Sequence, residues 1–166
     1  MDLYAAVDVY YRNESAATAL VEFQDFSSCT VLKTLFRETE ISAPYIPGKF
    51  YLRELPCILN ILEHSDNHYQ MIVIDGYVFL KEPVRYGLGG HLARAIDYET
   101  IIIGVAKNYL RMAERFVVVK RGKSSRPLYV SAFNMETEAA GLLIKEMHGE
   151  NRIPCILKLA DQISRK

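Results

Sequence analysis

Two short stretches of this chain are apolar on both faces of an extended backbone: residues 70–75 read QMIVID and residues 100–105 read TIIIGV. A strand with one wet face alternates apolar and polar residues. A continuously apolar strand is covered on both sides, as parallel strands flanked by helices are. Between the two, residues 87–97 (GLGGHLARAID) carry apolar groups at helical spacing. Strand, helix and strand in that order make a βαβ unit, and hence a layered α/β domain.

The rest of the chain fits around that unit. Residues 3–12 and 16–26 are alternating, β-branched and aromatic, with the turn signal Arg12-Asn13-Glu14-Ser15 between them. Residues 29–37 supply a third strand and complete an antiparallel meander. Residues 42–48 (SAPYIPG) form a loop, because two prolines flank two apolar residues and Gly48 closes it. Residues 50–64 have helical spacing, with Pro56 tolerable if it lies near the first turn. Residues 116–120 and 128–132 are two further strands, and residues 136–148 and 154–163 are closing helices. The pattern predicts a single α/β domain over residues 1–166, with a mixed β-sheet flanked by helices, of the ribonuclease H kind.

At 166 residues the chain can bury a proper core without metal or disulfide support. Net charge is zero, so the chain as a whole is no general nucleic-acid binder. Charge is uneven, however. Lys107, Arg111, Arg115, Lys120, Arg121, Lys123 and Arg126 face the single acid Glu114 in their stretch. Such an excess suits phosphates, and equally suits a solvated hairpin guarding a sheet edge. Cys29, Cys57 and Cys155 are odd in number and widely spaced, which predicts no disulfide framework and a reducing compartment. The start MDLYAAVDVYY has no basic region, and Asp8 breaks its apolar run, so no signal peptide is expected. No apolar run reaches membrane-spanning length, and the expected location is cytoplasmic.

Asp8 is the residue hardest to explain as structure alone. Alternation puts it on the strand face opposite Val7 and Val9, where an unpaired buried carboxylate costs several kcal/mol. It requires a cation, a donor or water. Asp75 ends a buried strand before Gly76. Taken alone it reads as a turn, yet ligands of open sheets sit beyond such strand ends. Glu54 lies at a helix start, where an acid also complements the helix dipole. Together, carboxylates on a first strand, the following helix and the strand beside the first can converge. Oxygen ligands of this kind hold Mg²⁺ or Mn²⁺. Lys107, just past TIIIGV, is placed to neutralise charge on a phosphate.

Five blocks occur in order: VDVYY (7–11), PYIPG (44–48), FYLRELP (50–56), VIDGY (73–77) and IGVAK (103–107). They resemble endonuclease V, whose fold is ribonuclease H-like. RPLYVS (126–131) and NRIPCILKLAD (151–161) extend the similarity over nearly the whole chain. The resemblance implies that Asp8, Glu54 and Asp75 bind the catalytic Mg²⁺ or Mn²⁺ and that Lys107 contacts the substrate phosphate. It also implies that Tyr45, Ile46, Pro47 and Gly48 form a wedge that unstacks bases near a lesion. The substrate implied is DNA or RNA containing inosine or deoxyinosine, cleaved on the 3′ side of the lesion. No membrane and no obligatory protein partner are implied.

The chain departs from that family in four places. It starts directly at the first strand, without an N-terminal helix. Residues 77–85 replace a run like G-x-A-H-P-R without its histidine, and residues 131–136 replace S-P-G-H-R-I-D, with Glu136 near the late acid. The linker after GVAK is short. These losses motivate an alternative, a relative that binds nucleic acid or protein without cutting. Other signals have plainer readings. Gly87-Leu88-Gly89-Gly90 lacks the third glycine of a dinucleotide fingerprint and suits close helix packing. Gly122-Lys123-Ser124 lacks the upstream glycine of a phosphate loop. His64 and His68 flank a helix end, and His91 falls at a packing position.

Overall fold

The computed structural model describes residues 2–41, 46, 49 and 51–166. Strands β1 (Tyr4–Arg12), β2 (Ser15–Phe23) and β3 (Lys33–Glu40) form the antiparallel meander. Helix α1 (Tyr51–Ser65) follows, then β4 (Met71–Ile74), the short β5 (Phe79–Leu80), α2 (Leu88–Ala95) and β6 (Ile101–Ala106). The chain closes with β7 (Ala113–Glu114), β8 (Val117–Val119), β9 (Leu128–Phe133), α3 (Thr137–Glu146) and α4 (Cys155–Ser164). Seven strands make one sheet in the order β3-β2-β1-β4-β6-β9-β8. Strands β1, β4 and β6 run parallel at its centre, with antiparallel pairs on both flanks. The mixed ribonuclease H-like sheet covered on both faces is therefore present.

Alternation along the central strands divides two cores. Ala5, Val7, Ile72, Ile74 and Ile102 pack with Ile58, Ile61 and Leu62 of α1 and with Leu88 and Leu92 of α2. Ala6, Val73, Ile103 and Val105 face the other way, toward Ala140 and Ile144 of α3 and Ile156 and Ala160 of α4. The continuous apolar strands are apolar because each face meets helices.

Three expectations change. The third strand begins at Lys33 rather than Cys29, because Cys29 bonds to Cys155 at the start of α4. Their Cα atoms are 6.0 Å apart, within disulfide range, although 126 positions separate them in sequence. Wide spacing thus excluded nothing: the fold returns α4 to the loop after β2. Cys57 is a free, buried thiol. A two-stranded sheet, β5 with β7, was invisible in the pattern, since two residues per strand carry no periodicity. Arg121, counted among phosphate-facing cations, is instead buried. It donates to the main-chain oxygens of Lys145, Met147, Gly149, Asn151 and Arg152, and so organises the turn between α3 and α4. Among the described residues, no helix is long and apolar enough to cross a membrane.

Candidate active site

The site lies at the carboxyl edge of the three central parallel strands. On the face toward α4, three rows of side chains each change from apolar to charged at the same level. Ala6 is followed by Asp8, Val73 by Asp75 and Val105 by Lys107. The register pairs Val7 with Ile74, so Asp8 and Asp75 stand side by side one step past the last paired residues. Period-two alternation delivers all three groups to one face.

The turn after Asp75 depends on two glycines. Gly76 has φ of 142°, a conformation that disfavours any side chain. Its carbonyl oxygen then crosses so close to Gly104 that a Cβ there would sit 2.4 Å from it. Gly76 N donates to Val105 O at 3.3 Å, which locks the turn over β6. Ser131 of β9, fully buried, accepts from Val78 N at 3.0 Å and fixes the segment beyond the turn. The pairing of DG with GVAK thus has a packing cause as well as a chemical one.

Lys107 Nζ lies 3.5 Å from Asp75 Oδ2. Asp75 sits in a cleft, ringed by protein yet with 46% of its side chain open to solvent. Burial raises its pKa, while Lys107 lowers it. Asp8 is pushed up to about 6, chiefly by burial, against a hydrogen bond from Ser164 and with added repulsion from Asp75. Glu54 reaches in from α1 and is pushed up to about 8, first by burial and then by the charges of Asp75 and Asp8. The Tyr11 hydroxyl beside Glu54 favours its ionised form, and Tyr11 itself is raised by burial and by that carboxylate. The three acids are therefore one electrostatic cluster with too little positive charge. Such perturbation concentrates at functional sites.

The family model for endonuclease V matches residues 1–116. Endonuclease V of Pyrococcus abyssi is 38% identical over 161 residues, covering 97% of this chain and 78% of that protein. The chain belongs to the endonuclease V family. The Pyrococcus horikoshii member is likewise 38% identical, over 97% of this chain and 72% of its own length. The catalytic domain of human endonuclease V superposes with a TM-score of 0.82 at 25% identity, covering 99% of this chain and 81% of that one. The Ciona intestinalis endonuclease V, in complex with a 24mer DNA containing an inosine followed by a ribo-adenosine, shares the fold. Its TM-score is 0.81 at 20% identity, over 99% of this chain and 84% of that one. Family membership makes this protein a nuclease that hydrolyses phosphodiester bonds.

Within this endonuclease V, two groups on α4 escaped the sequence reading. Ser164 is fully buried and donates to Asp8 Oδ2 at 2.8 Å. Asp161, one turn earlier, adds to the repulsion felt by both Asp8 and Asp75. It is a fourth acid of the cluster, while Glu136 stands outside α3 as its N-cap. The signal for both lay in the LAD-QIS stretch, where polar residues recur at helical spacing on an otherwise apolar helix. Of the expected wedge, Tyr45, Pro47 and Gly48 lie outside the described residues; Ile46 is 38% exposed.

A cleft of about 440 Å³ opens beside the acids, lined by Tyr51, Glu54, Asp75, Tyr77, Leu80, Tyr86 and Lys107 among others. Its mix of aromatic walls and a few polar groups is the usual build of a binding site. The glycines of α2 allow that wall to close: a Cβ on Gly90 would meet Val78 O at 2.6 Å. His91 stacks on Tyr51 with ring centroids 3.7 Å apart. His64 contacts Asn60 O, whereas His68 stacks on Tyr98, so the two histidines do not work as a pair.

Proposed function

We propose that this endonuclease V uses Mg²⁺ or Mn²⁺ to cleave DNA or RNA on the 3′ side of inosine or deoxyinosine. Asp8, Glu54 and Asp75 would hold the metal, Lys107 would hold the scissile phosphate, and Tyr45, Ile46, Pro47 and Gly48 would separate the bases. The observation that carries the reading is the cluster of raised-pKa carboxylates on one strand edge, next to an aromatic cleft. Among the described residues no three such side chains close into a ready-made cage. Mg²⁺ does not ask for one, since it keeps several waters and takes one or two carboxylates. The donors are hard oxygens and their charge is only partly compensated by Lys107, which fits a divalent cation.

A bound divalent ion supplies an activated water and neutralises charge on the phosphate. The chain's own residues do the rest. Asp8 and Asp75 fix the site's position through the sheet register, and Ser164 orients Asp8 by binding one of its oxygens. Lys107, at the end of a rigid strand, offers its ammonium within reach of Asp75 and hence of any phosphate bound there. The inosine preference draws on the Ciona intestinalis endonuclease V structures in complex with DNA containing an inosine. Cytoplasmic location rests on the substrate, because the Cys29–Cys155 bond removes the argument from cysteine spacing.

The test is nicking of labelled inosine-containing and control strands with and without Mn²⁺, alongside Asp75→Ala. Metal-dependent nicking beside inosine, lost in the variant, is expected. Absence of metal-dependent nicking, or undiminished nicking by the variant, overturns the reading; strand binding without nicking would favour the non-cleaving relative.

A further inference from the structure

Lys107 and Arg53 both bring positive charge to the acidic cluster, at Asp75 and Glu54. Arg165, at the end of α4, places Nε 2.9 Å from Asp161 Oδ1. Its guanidinium carbon lies 4.6 Å from the centre of the Tyr10 ring. Tyr10 is two residues beyond Asp8 on β1 and so shares its face. Ser164, the neighbour of Arg165, holds Asp8 directly. Arg165 therefore stands at the margin of the site, beside Asp161 rather than Asp75.

The manner of this contact matters more than its presence. The Arg165 side chain is 55% exposed and Asp161 28% exposed, so the pair lies at the water boundary and contributes little to stability. Among the described residues, the hydrogen bond to Asp161 runs through Nε alone. The two terminal nitrogens form the fork that matches a phosphate in two parallel bonds. The Tyr10 ring lies within cation–π range of the guanidinium and helps hold it beside Asp161.

We propose that Arg165 is a phosphate-binding residue of this site, neutralising Asp161 in the metal-free protein and gripping the substrate backbone when a divalent cation takes over that charge. This rests on the metal-dependent reading above. A strand crossing the site would then be held from two sides, by Lys107 near Asp75 and by Arg165 near Asp161. Arg165 is bonded to Asp161 and feels the charge of Asp8 as well, so the arginine and a metal ion compete for the same acidic edge.

That competition makes the outcome specific. Arg165→Ala should bind Mn²⁺ more tightly by calorimetry, by roughly 3- to 10-fold, because a like charge beside the ion is gone. The same variant should bind an inosine-containing single strand with an uncleavable scissile linkage more weakly by fluorescence anisotropy in saturating Mn²⁺. Its salt dependence should also be shallower, by about 0.7 in the log–log slope for one lost phosphate contact. Arg165→Lys keeps the charge but loses the fork: its Mn²⁺ affinity should stay near wild type and its strand affinity should fall between the two. If Arg165→Ala weakens Mn²⁺ binding, the arginine merely orders α4 and the proposal is overturned. An unchanged salt slope overturns it equally. Wild-type protein that takes up no Mn²⁺ at all sinks the metal reading itself, which separates the two failures.

Discussion

Glu54 shows how a single buried acid beside other acids costs the fold stability. Its carboxyl ordinarily titrates near 4.5 and here holds its proton to about 8, because burial and the charges of Asp75 and Asp8 oppose ionisation. Asp8 behaves likewise, from 3.8 to about 6. Between the unfolded and folded values the native state binds more protons than the unfolded one, so stability must fall as pH rises through that window. Metal-free protein in EDTA should therefore melt at progressively lower temperature from about pH 4.5 to pH 8. Glu54→Gln should flatten that slope and, at pH 8, stabilise the metal-free fold by about 1–3 kcal/mol, a figure reduced because water reaches the cleft. The variant should also lose most of the melting-point increase that Mn²⁺ gives wild type. A thermal scan at several pH values, with and without Mn²⁺, reads all of this; a melting point that rises with pH would contradict it. Asp8 was legible as an anomaly from the strand alone, whereas Glu54 was not: an acid in a first helical turn has an ordinary explanation until its neighbours in space are known.

At the scale of elements, the site is a product of strand register and one turn. Asp75 reaches its position because Gly76 takes a positive φ and Gly104 leaves room for the crossing backbone. Gly104→Ala would place a methyl group 2.4 Å from a main-chain oxygen, which cannot swing aside as a side chain could. The turn must shift, at about 2–4 kcal/mol, and Asp75 moves with it. Urea unfolding should show the lowered midpoint, and activity of the remaining folded protein should drop further than stability alone explains. The central strands and helices α1–α4 were readable from periodicity, since burial on one or two faces imprints a period on the residues. Strands β5 and β7 were not, because two residues have no period.

For the molecule as a whole, α4 is the element that closes the site, and it is held at both ends. Its start is bonded through Cys155 to Cys29, and near its end Ser164 and Asp161 engage the acidic edge of the sheet. Closing a loop of this length restricts the unfolded chain by up to about 5 kcal/mol in the chain-entropy account. Cys29→Ser, or reduction of wild type with a thiol, should lower the denaturation midpoint by comparable amounts. The two treatments together should do no more than either. Cys57→Ser, which removes only the free thiol, should not reproduce the effect of either treatment. Equal midpoints for oxidised and reduced wild type would show that the bond contributes nothing.

By itself the sequence determined the α/β architecture, the identity of Asp8, Glu54, Asp75 and Lys107 as candidates, and the family, because apolar periodicity and short motifs are local properties of the chain. Tertiary structure alone decided that Asp161, Ser164 and Arg165 share that site, that Arg121 turns inward, and that Cys29 meets Cys155. Each of those facts is a contact between segments far apart in sequence; the polar spacing along α4 marks a face of that helix but not the partner it meets, which only the folded chain supplies.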